Sequence, residues 1–174
     1  MSIFKHILSI ILLPTVMTVV VPVTILYRTG TVNVGWSLPT PLNLASSLCG
    51  IVLIVLGLTL FAGTIALFAT VGRGTLAPWD PPTRLVVRGI YRHVRNPMIS
   101  GVLCVLCGET LLIGSIPLLG WFGTFFLINL IYIPLLEEPG LEERFGEPYR
   151  VYNQNVPRWI PRLKPWDAPG DASS

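Results

Sequence analysis

Charge is scarce in this sequence. Only 12% of its 174 residues are charged, whereas 52% are hydrophobic. A soluble globular domain is typically about one-quarter charged. The composition therefore excludes an ordinary soluble domain and indicates an integral membrane protein. The net charge of +3 is small. The sequence lacks the basic residues interleaved with aromatic residues that are typical of nucleic-acid binding, so it gives no indication of a nucleic-acid partner.

Cysteine and histidine are also scarce. The three cysteines, Cys49, Cys104 and Cys107, lie within apolar runs, where an odd number argues against a disulfide framework. His6 and His93 are the only two histidines, and neither is near a cysteine pair in the sequence. We therefore predict no metal site, and we interpret Cys104 and Cys107 as small packing residues on a membrane helix.

The sequence lacks the alternation of strand and helix patterns, and the glycine-rich turn, that are typical of a Rossmann domain. It has instead four apolar runs long enough to cross a bilayer, at about residues 7–27, 44–71, 97–113 and 117–136. We predict an all-α integral membrane protein with about four transmembrane helices, the last two forming an antiparallel hairpin. Gly50 and Gly57 in the second run would allow another helix to approach closely.

Lysine and arginine are concentrated in two segments. Five arginines lie in the loop at residues 71–97 and five basic residues follow Leu136, whereas the loop at residues 28–43 has one and the turn at 114–116 has none. Basic residues favour the cytoplasmic side of a membrane. We therefore expect both basic segments and the N-terminus in the cytoplasm, where the segments would form a cap.

The first basic segment runs into the third helix. Arg84, Arg88, Arg92 and Arg95 are spaced by four, four and three residues, which predicts four guanidinium groups on one helical face. Asn96-Pro97 is typical of a helix start. A helix N-terminus beside arginines suits an anion. The alternative is a loop that only fixes the topology and contacts lipid phosphates.

Two glutamates, Glu137 and Glu138, are predicted to end the fourth helix just before Pro139-Gly140. Negative charge at a helix C-terminus opposes the helix dipole, and a violated local preference often marks a functional site. Asn129 and Ile133 precede Glu137 at steps of four residues and would share its face. The alternative is that the glutamates pair with the arginines and draw the two basic segments together.

Several short motifs occur in order between Gly89 and Arg158. They are Gly89, Tyr91 or Arg92, Arg95-Asn96-Pro97, Gly101, Glu137-Glu138, Phe145-Gly146, Tyr149, Tyr152 and Val156-Pro157-Arg158. In this order and spacing, over about residues 72–161, the chain resembles the superfamily of isoprenylcysteine carboxyl methyltransferases and phospholipid methyltransferases. It departs from the family pattern at Asn96, where histidine is frequent, and at Ile99, where tyrosine is frequent. These departures affect the prediction of the substrate class more than the prediction of the cofactor.

The resemblance implies a helical membrane enzyme that binds S-adenosylmethionine and releases S-adenosylhomocysteine. The acceptor would be a lipid or prenylated molecule, methylated on an isoprenylcysteine carboxylate or on a lipid amine. The expected cofactor-binding residues are Tyr91, His93, Arg95, Asn96, Pro97, Glu137, Glu138, Tyr149 and Tyr152. Arg92 and Arg158 would hold an anionic acceptor, and Glu138 would serve as the base for an amine. The lipid tail is expected to lie along Met98, Val102, Asn129 and Ile133.

The expected organisation is an N-terminal transmembrane helix pair at residues 1–71, a methyltransferase core with its cap at 72–162, and a disordered tail at 163–174. Two alternative functions stay open. One is a reductase of the sterol reductase type, in which the arginines would bind the phosphates of NADPH. The other is a non-catalytic lipid-binding scaffold, which the departures at Asn96 and Ile99 favour.

Overall fold

A computed structural model describes residues 12–31, 34–71, 85 and 87–167, and every regular element within them is helical. Three helical spans are long and apolar enough to cross a membrane, namely Leu12–Thr29, Thr40–Leu67 and Ile116–Phe145. A shorter apolar helix covers Pro97–Ile113. The prediction of an all-α membrane protein with about four transmembrane helices is confirmed.

The helices follow one another in a simple order. The first span contains a π-helical segment, Val16–Val20, and then helix α1 (Val21–Thr29). Helix α2 covers Thr40–Val71 and α3 covers Pro97–Ile113. Helix α4 (Ile116–Tyr132) continues through a second π-helical segment, Ile133–Glu137, into α5 (Glu138–Phe145), and α6 (Glu147–Asn155) follows.

Helices α2 and α3 pack closely through glycines. A Cβ atom added at Gly57 would lie 2.5 Å from Gly101 O, and one added at Gly50 would lie 2.7 Å from Gly108 O. The reciprocal positions on α3 are equally tight, at 2.9 Å from Gly57 O and 2.6 Å from Gly50 O. The pairing 50 with 108 and 57 with 101 makes the helices antiparallel. The predicted close approach at Gly50 and Gly57 is thus confirmed.

The connections at one end of the bundle hold each other in place. Gly114 ends α3 in a left-handed conformation, with φ of 71°, and the hairpin to α4 follows directly. The main chain of Gly35, from the loop between α1 and α2, lies against Gly114 and donates a hydrogen bond to Leu112 O at 3.0 Å. A side chain at position 114 would collide with this loop, so glycine is required there by both conformation and space.

A proline in the first span explains a contact between helices. Val21 N–H donates to Val16 O, and Pro22 has no N–H, so Met17 O lacks a main-chain donor. The indole Nε1 of Trp121 on α4 donates to Met17 O at 3.1 Å. Because lipid offers no alternative donor, this bond ties α4 to the first span.

Two local expectations were wrong. The fourth helix does not end at Pro139-Gly140, because the preceding π-helical turn accommodates Pro139 and the helix continues to Phe145. The arginines do not form one helical face either. Only Gly89–Arg92 makes a short 3₁₀ turn, Arg88 is extended, and Gly89 has φ of 54°. Arg84 lies outside the described residues.

The chain after α6 lies against the loop before α3. We refer to residues 156–167 as the C-terminal segment. Within it, Trp166 N–H donates to Arg92 O at 2.9 Å and Arg162 N–H donates to His93 O at 3.0 Å. The Trp166 bond places this part of the tail beside the loop before α3, and the disorder of residues 163–174 stays a prediction. Residues 168–174, and the predicted division after residue 71, fall outside the part of the chain that the structure describes.

Candidate functional site

Three charged side chains meet where α3, α5 and the C-terminal segment come together, and we call them the Arg95–Glu138–Arg158 cluster. Arg95 Nη1 donates to Glu138 Oε1 at 2.7 Å. Arg158 donates through Nε to the same oxygen at 2.7 Å and through Nη2 to Oε2 at 2.8 Å. The hydrogen bond from Arg158 to Glu138 raises the pKa of Arg158. The two arginines and one carboxylate leave the cluster with a charge of +1.

Burial differs among the members of the cluster. The side chains of Arg95 and Glu138 are 8% and 11% exposed, whereas that of Arg158 is 26% exposed. Arg95 is also fixed through Nε, which donates to Val156 O at 2.8 Å. Only Arg158 therefore presents part of its positive charge to the surroundings.

Arg95 and Glu138 contact each other, although we expected them to contact opposite charges of a cofactor. Both oxygens of Glu138 accept hydrogen bonds from arginines. The alternative interpretation, in which the glutamates draw the two basic segments together, describes Glu138. The expected dipole conflict also disappears, because the helix does not end at Glu138 but continues to Phe145. Contact of either residue with a cofactor stays a prediction.

Glu137 has different surroundings, although it is the next residue. Its side chain is half-buried in the last position of the second π-helical segment. Within the described ranges, no ion pair or hydrogen bond involves the Glu137 carboxylate. The charge of Glu137 nevertheless acts on Tyr91, whose pKa is raised first by burial, then by Tyr152 and then by Glu137. Glu137 is therefore a carboxylate with unused acceptor capacity beside the cluster.

Two tyrosines of α6 pack beneath the cluster. Tyr149 and Tyr152 are both 3% exposed, and Trp166 covers Tyr152 at a ring distance of 5.9 Å. The hydroxyl of Tyr152 donates to Tyr91 O at 2.7 Å. Burial and the charge of Glu138 raise the pKa of Tyr149, while Arg95 acts in the opposite direction. These rings form part of a small apolar core that positions the loop before α3.

Arg92 and His93 both bind the C-terminal segment. Arg92 Nε donates to Trp166 O at 2.9 Å, and the guanidinium also forms an ion pair with Asp167. His93 Nδ1 lies 2.7 Å from Arg162 O. Because a carbonyl oxygen only accepts, Nδ1 carries the proton in this contact. The structure thus gives both side chains a role in holding the segment.

The helix start at Asn96-Pro97 is where we predicted it, since α3 begins at Pro97. The Asn96 side chain, however, makes no cap hydrogen bond. The main-chain N–H of Asn96 donates to Arg158 O at 3.3 Å, and Ser100 Oγ donates to Trp159 O at 3.0 Å. Ser100 and Trp159 were not among the predicted site residues, because no local pattern connects residues 59 positions apart.

The residues expected to contact a lipid tail lie on α3, α4 and the second π-helical segment. Val102 and Ile133 are buried, at 3% and 1% exposure, and Met98 is half-buried. The Asn129 side chain donates to Phe125 O at 2.8 Å, one turn earlier on the same helix. Their role in acceptor binding stays a prediction.

No metal site is found among the residues that the structure describes, because no three histidine, cysteine, aspartate or glutamate side chains are suitably grouped there. The cysteines Cys49, Cys104 and Cys107 carry free thiols.

Most of this arrangement lies within a match to a known family. Residues 45–148 match the phospholipid methyltransferase family, which is more than half of the 174-residue chain. The chain is also 37% identical over 65 residues to a Haemophilus influenzae protein described only as uncharacterized, which covers 36% of this chain and 100% of that protein. The family match includes Arg95, Glu137 and Glu138 and ends just before Tyr149. The chain belongs to the phospholipid methyltransferase family.

Proposed function

We propose that this protein transfers the methyl group of S-adenosylmethionine to a lipid acceptor in the membrane. Family membership supports a membrane methyltransferase. The observation that carries the finer proposal is the half-buried carboxylate of Glu137, which has no ion pair or hydrogen bond among the described residues and lies beside the Arg95–Glu138–Arg158 cluster. The Glu137 carboxylate thus supplies a negative charge, and the cluster beside it supplies a net positive charge.

The residues present fit the charged groups of S-adenosylmethionine. The amino-acid end of the cofactor carries an ammonium and a carboxylate, and its ribose carries two hydroxyls. Glu137 would accept hydrogen bonds from the ammonium, and the N-terminus of α3 at Asn96-Pro97, beside Arg95, would attract the carboxylate. When bound, the cofactor supplies an electrophilic methyl group on a positively charged sulfur.

Positioning would be the main contribution of the protein. Methyl transfer to an incoming nucleophile needs little covalent help, so holding the two reactants in line accounts for most of the rate. Arg95 and Glu138 would act as positioning residues, because their hydrogen-bonding atoms are largely used within the protein. We therefore assign Glu138 to positioning instead of proton transfer.

The acceptor would be held through its anionic group. Arg158 is the most exposed guanidinium of the cluster, and its position suits a lipid phosphate or a carboxylate. The family supports a phospholipid acceptor, whose amine would be methylated, and the carboxylate of a prenylated cysteine has the same requirement for a cation. The expected cytoplasmic position of the site agrees with a water-soluble cofactor.

Binding of S-adenosylhomocysteine to the purified protein in detergent tests the proposal. A ligand that binds only the folded state stabilises it by about 2.7 kcal/mol at one hundred times its Kd, so thermal unfolding should shift in a saturable way. Glu137→Gln should weaken this binding, whereas Glu142→Gln, on the exposed side of α5, should not. Stabilisation by NADPH alone would indicate the reductase, and no response to either would indicate the scaffold.

Transfer of a labelled methyl group then identifies the acceptor. Phosphatidylethanolamine and a prenylated cysteine should be offered in parallel to the protein in lipid nanodiscs. Label in the first indicates a phospholipid amine, and label in the second indicates a carboxylate. If the protein binds S-adenosylhomocysteine but labels no lipid, the proposed lipid acceptor is wrong.

A further inference from the structure

The two π-helical segments end in the same way. Val16–Val20 is followed by Val21-Pro22, and Ile133–Glu137 is followed by Glu138-Pro139. In each case the residue before the proline donates its N–H to the first residue of the segment, because the register is π-helical. The proline that follows has no N–H to donate. Each segment therefore contains a carbonyl that loses its main-chain partner.

In the second segment this carbonyl belongs to Pro134. An α-helical register would supply the N–H of Glu138, but that N–H is bonded to Ile133 O. A π-helical register would supply the N–H of residue 139, which is a proline. The oxygen of Pro134 thus lacks a donor from its own helix, and it lies in the turn that carries Glu137.

The first segment shows what such a carbonyl needs. There the equivalent oxygen, Met17 O, accepts a hydrogen bond from the indole of Trp121. Among the side-chain hydrogen bonds of residues 12–31, 34–71, 85 and 87–167, none reaches Pro134 O. Pro134 is half-buried, and a carbonyl without a hydrogen-bond partner is unfavourable in such a position, so the second segment is suited to a donor from outside the chain.

Pro134 and Glu137 lie three residues apart in the same π-helical turn. A helical side chain leans toward the preceding turn, which brings the Glu137 carboxylate toward the Pro134 carbonyl. Both groups only accept hydrogen bonds, and together they carry a negative charge. The fitting partner is a cation with several N–H donors, such as a primary ammonium.

We propose that Pro134 O, freed by Pro139, binds the ammonium group of S-adenosylmethionine together with Glu137. The inference rests on the proposed function and extends it, since it assigns a main-chain ligand to the amino-acid end of the cofactor. The start of α3 at Asn96-Pro97, beside Arg95, would hold the carboxylate of the same amino-acid group. Pro139 is then a positioning residue that keeps the acceptor open.

The test restores a main-chain N–H at position 139, where the proline has none. Pro139→Ala supplies an amide that can donate to Pro134 O and occupy it. Pro22→Ala is the matched control, because it makes the same change in the first π-helical segment. Binding of two probes should be measured by calorimetry in detergent. S-adenosylhomocysteine has the ammonium and the carboxylate, whereas 5′-methylthioadenosine has neither.

We expect Pro139→Ala to raise the Kd for S-adenosylhomocysteine about tenfold, the effect of losing one hydrogen bond to a charged group. The Kd for 5′-methylthioadenosine should change less than about twofold on the same scale, and Pro22→Ala should affect neither probe. Unchanged binding of S-adenosylhomocysteine by Pro139→Ala would overturn the proposal. Equal weakening of both probes would also overturn it, because the whole site would then have shifted.

Two further measurements keep the test decisive. If Pro139→Ala does not fold, as judged by thermal unfolding, Pro139→Ser supplies the same N–H and is held to the same expectations. Glu137→Gln should likewise discriminate against S-adenosylhomocysteine and spare 5′-methylthioadenosine. Failure of the wild-type protein to bind either probe would refute the methyltransferase proposal itself, whereas a failure confined to the proline variants refutes only the role of Pro134.

Discussion

The α2–α3 interface and the Arg95–Glu138–Arg158 cluster hold the protein together by opposite means. In the interface, two helices approach until the carbonyl of one glycine lies where a side chain of the other would begin. In the cluster, three long charged side chains converge from segments that are 43 and 20 residues apart. Apolar side chains gain little from association within lipid, so close main-chain packing does the work there, while charge complementarity does it at the polar end.

The two regions should therefore fail in different ways. The cluster is sensitive to the loss of a group, since a buried charge without its partner is costly. The interface is sensitive to the gain of a group, since it has no space for one. Two predictions test this distinction and a third concerns the tyrosines that pack beneath the cluster; they are given in order of decreasing effect.

Replacement of the shared carboxylate should have the largest effect. Glu138→Gln leaves Arg95 and Arg158 without a negative partner, and removal of one member of a buried ion pair typically costs about 3–5 kcal/mol. The partial exposure of Arg158 places the expectation at the lower end of that range. Thermal or denaturant unfolding in detergent measures the loss. The control Glu142→Gln breaks a pair with the exposed Arg150 and should leave the unfolding free energy nearly unchanged.

Addition of one methyl group to the interface should have a smaller effect. In Gly57→Ala the new Cβ would lie 2.5 Å from Gly101 O, so the helices must separate, at a cost of about 1–3 kcal/mol. Gly120→Ala is the control, because no atom lies within 4 Å of a Cβ at that position, and alanine favours the helix by up to about 1 kcal/mol. Equal stability of the two variants would show that α2 and α3 are not in close contact.

The smallest effect should appear only in alkaline solution. The pKa values of Tyr91, Tyr149 and Tyr152 are raised, chiefly by burial. The folded state therefore holds these protons more tightly than the unfolded state, so their stabilising contribution is complete below about pH 10 and is lost as the pH rises above it.

Unfolding of the wild-type protein measured from pH 7 to 11 checks this expectation. The unfolding free energy should fall above about pH 10, and the fall should be smaller in Tyr149→Phe, which removes one of the three groups. A decline that begins near neutral pH would point to other titrating groups.

The sequence alone predicts the interface better than the cluster. Apolar runs locate the helices because a bilayer requires a minimum length, and Gly50 and Gly57 indicate a close contact because their spacing is local. The path through Pro139 could not be predicted, because proline ordinarily ends a helix and a π-helical turn has no simple sequence signature. The sharing of Glu138 by Arg95 and Arg158 depends on the return of the C-terminal segment to α3. No periodic pattern in the sequence predicts that return. The excess of basic residues in the loop before α3 and in the C-terminal segment nevertheless indicates that a negative partner is needed.

The glycine contacts also fix the position of α3 along its axis relative to α2. Gly101 meets Gly57 only six residues after Arg95, and a helix rises about 1.5 Å per residue. A slip of one residue between α2 and α3 would carry α3 and the loop before it along the bundle by about 1.5 Å, more than half the 2.7 Å that joins Arg95 to Glu138. The apolar interface thus sets the position of α3 along the bundle, and with it the distance between Arg95 and Glu138.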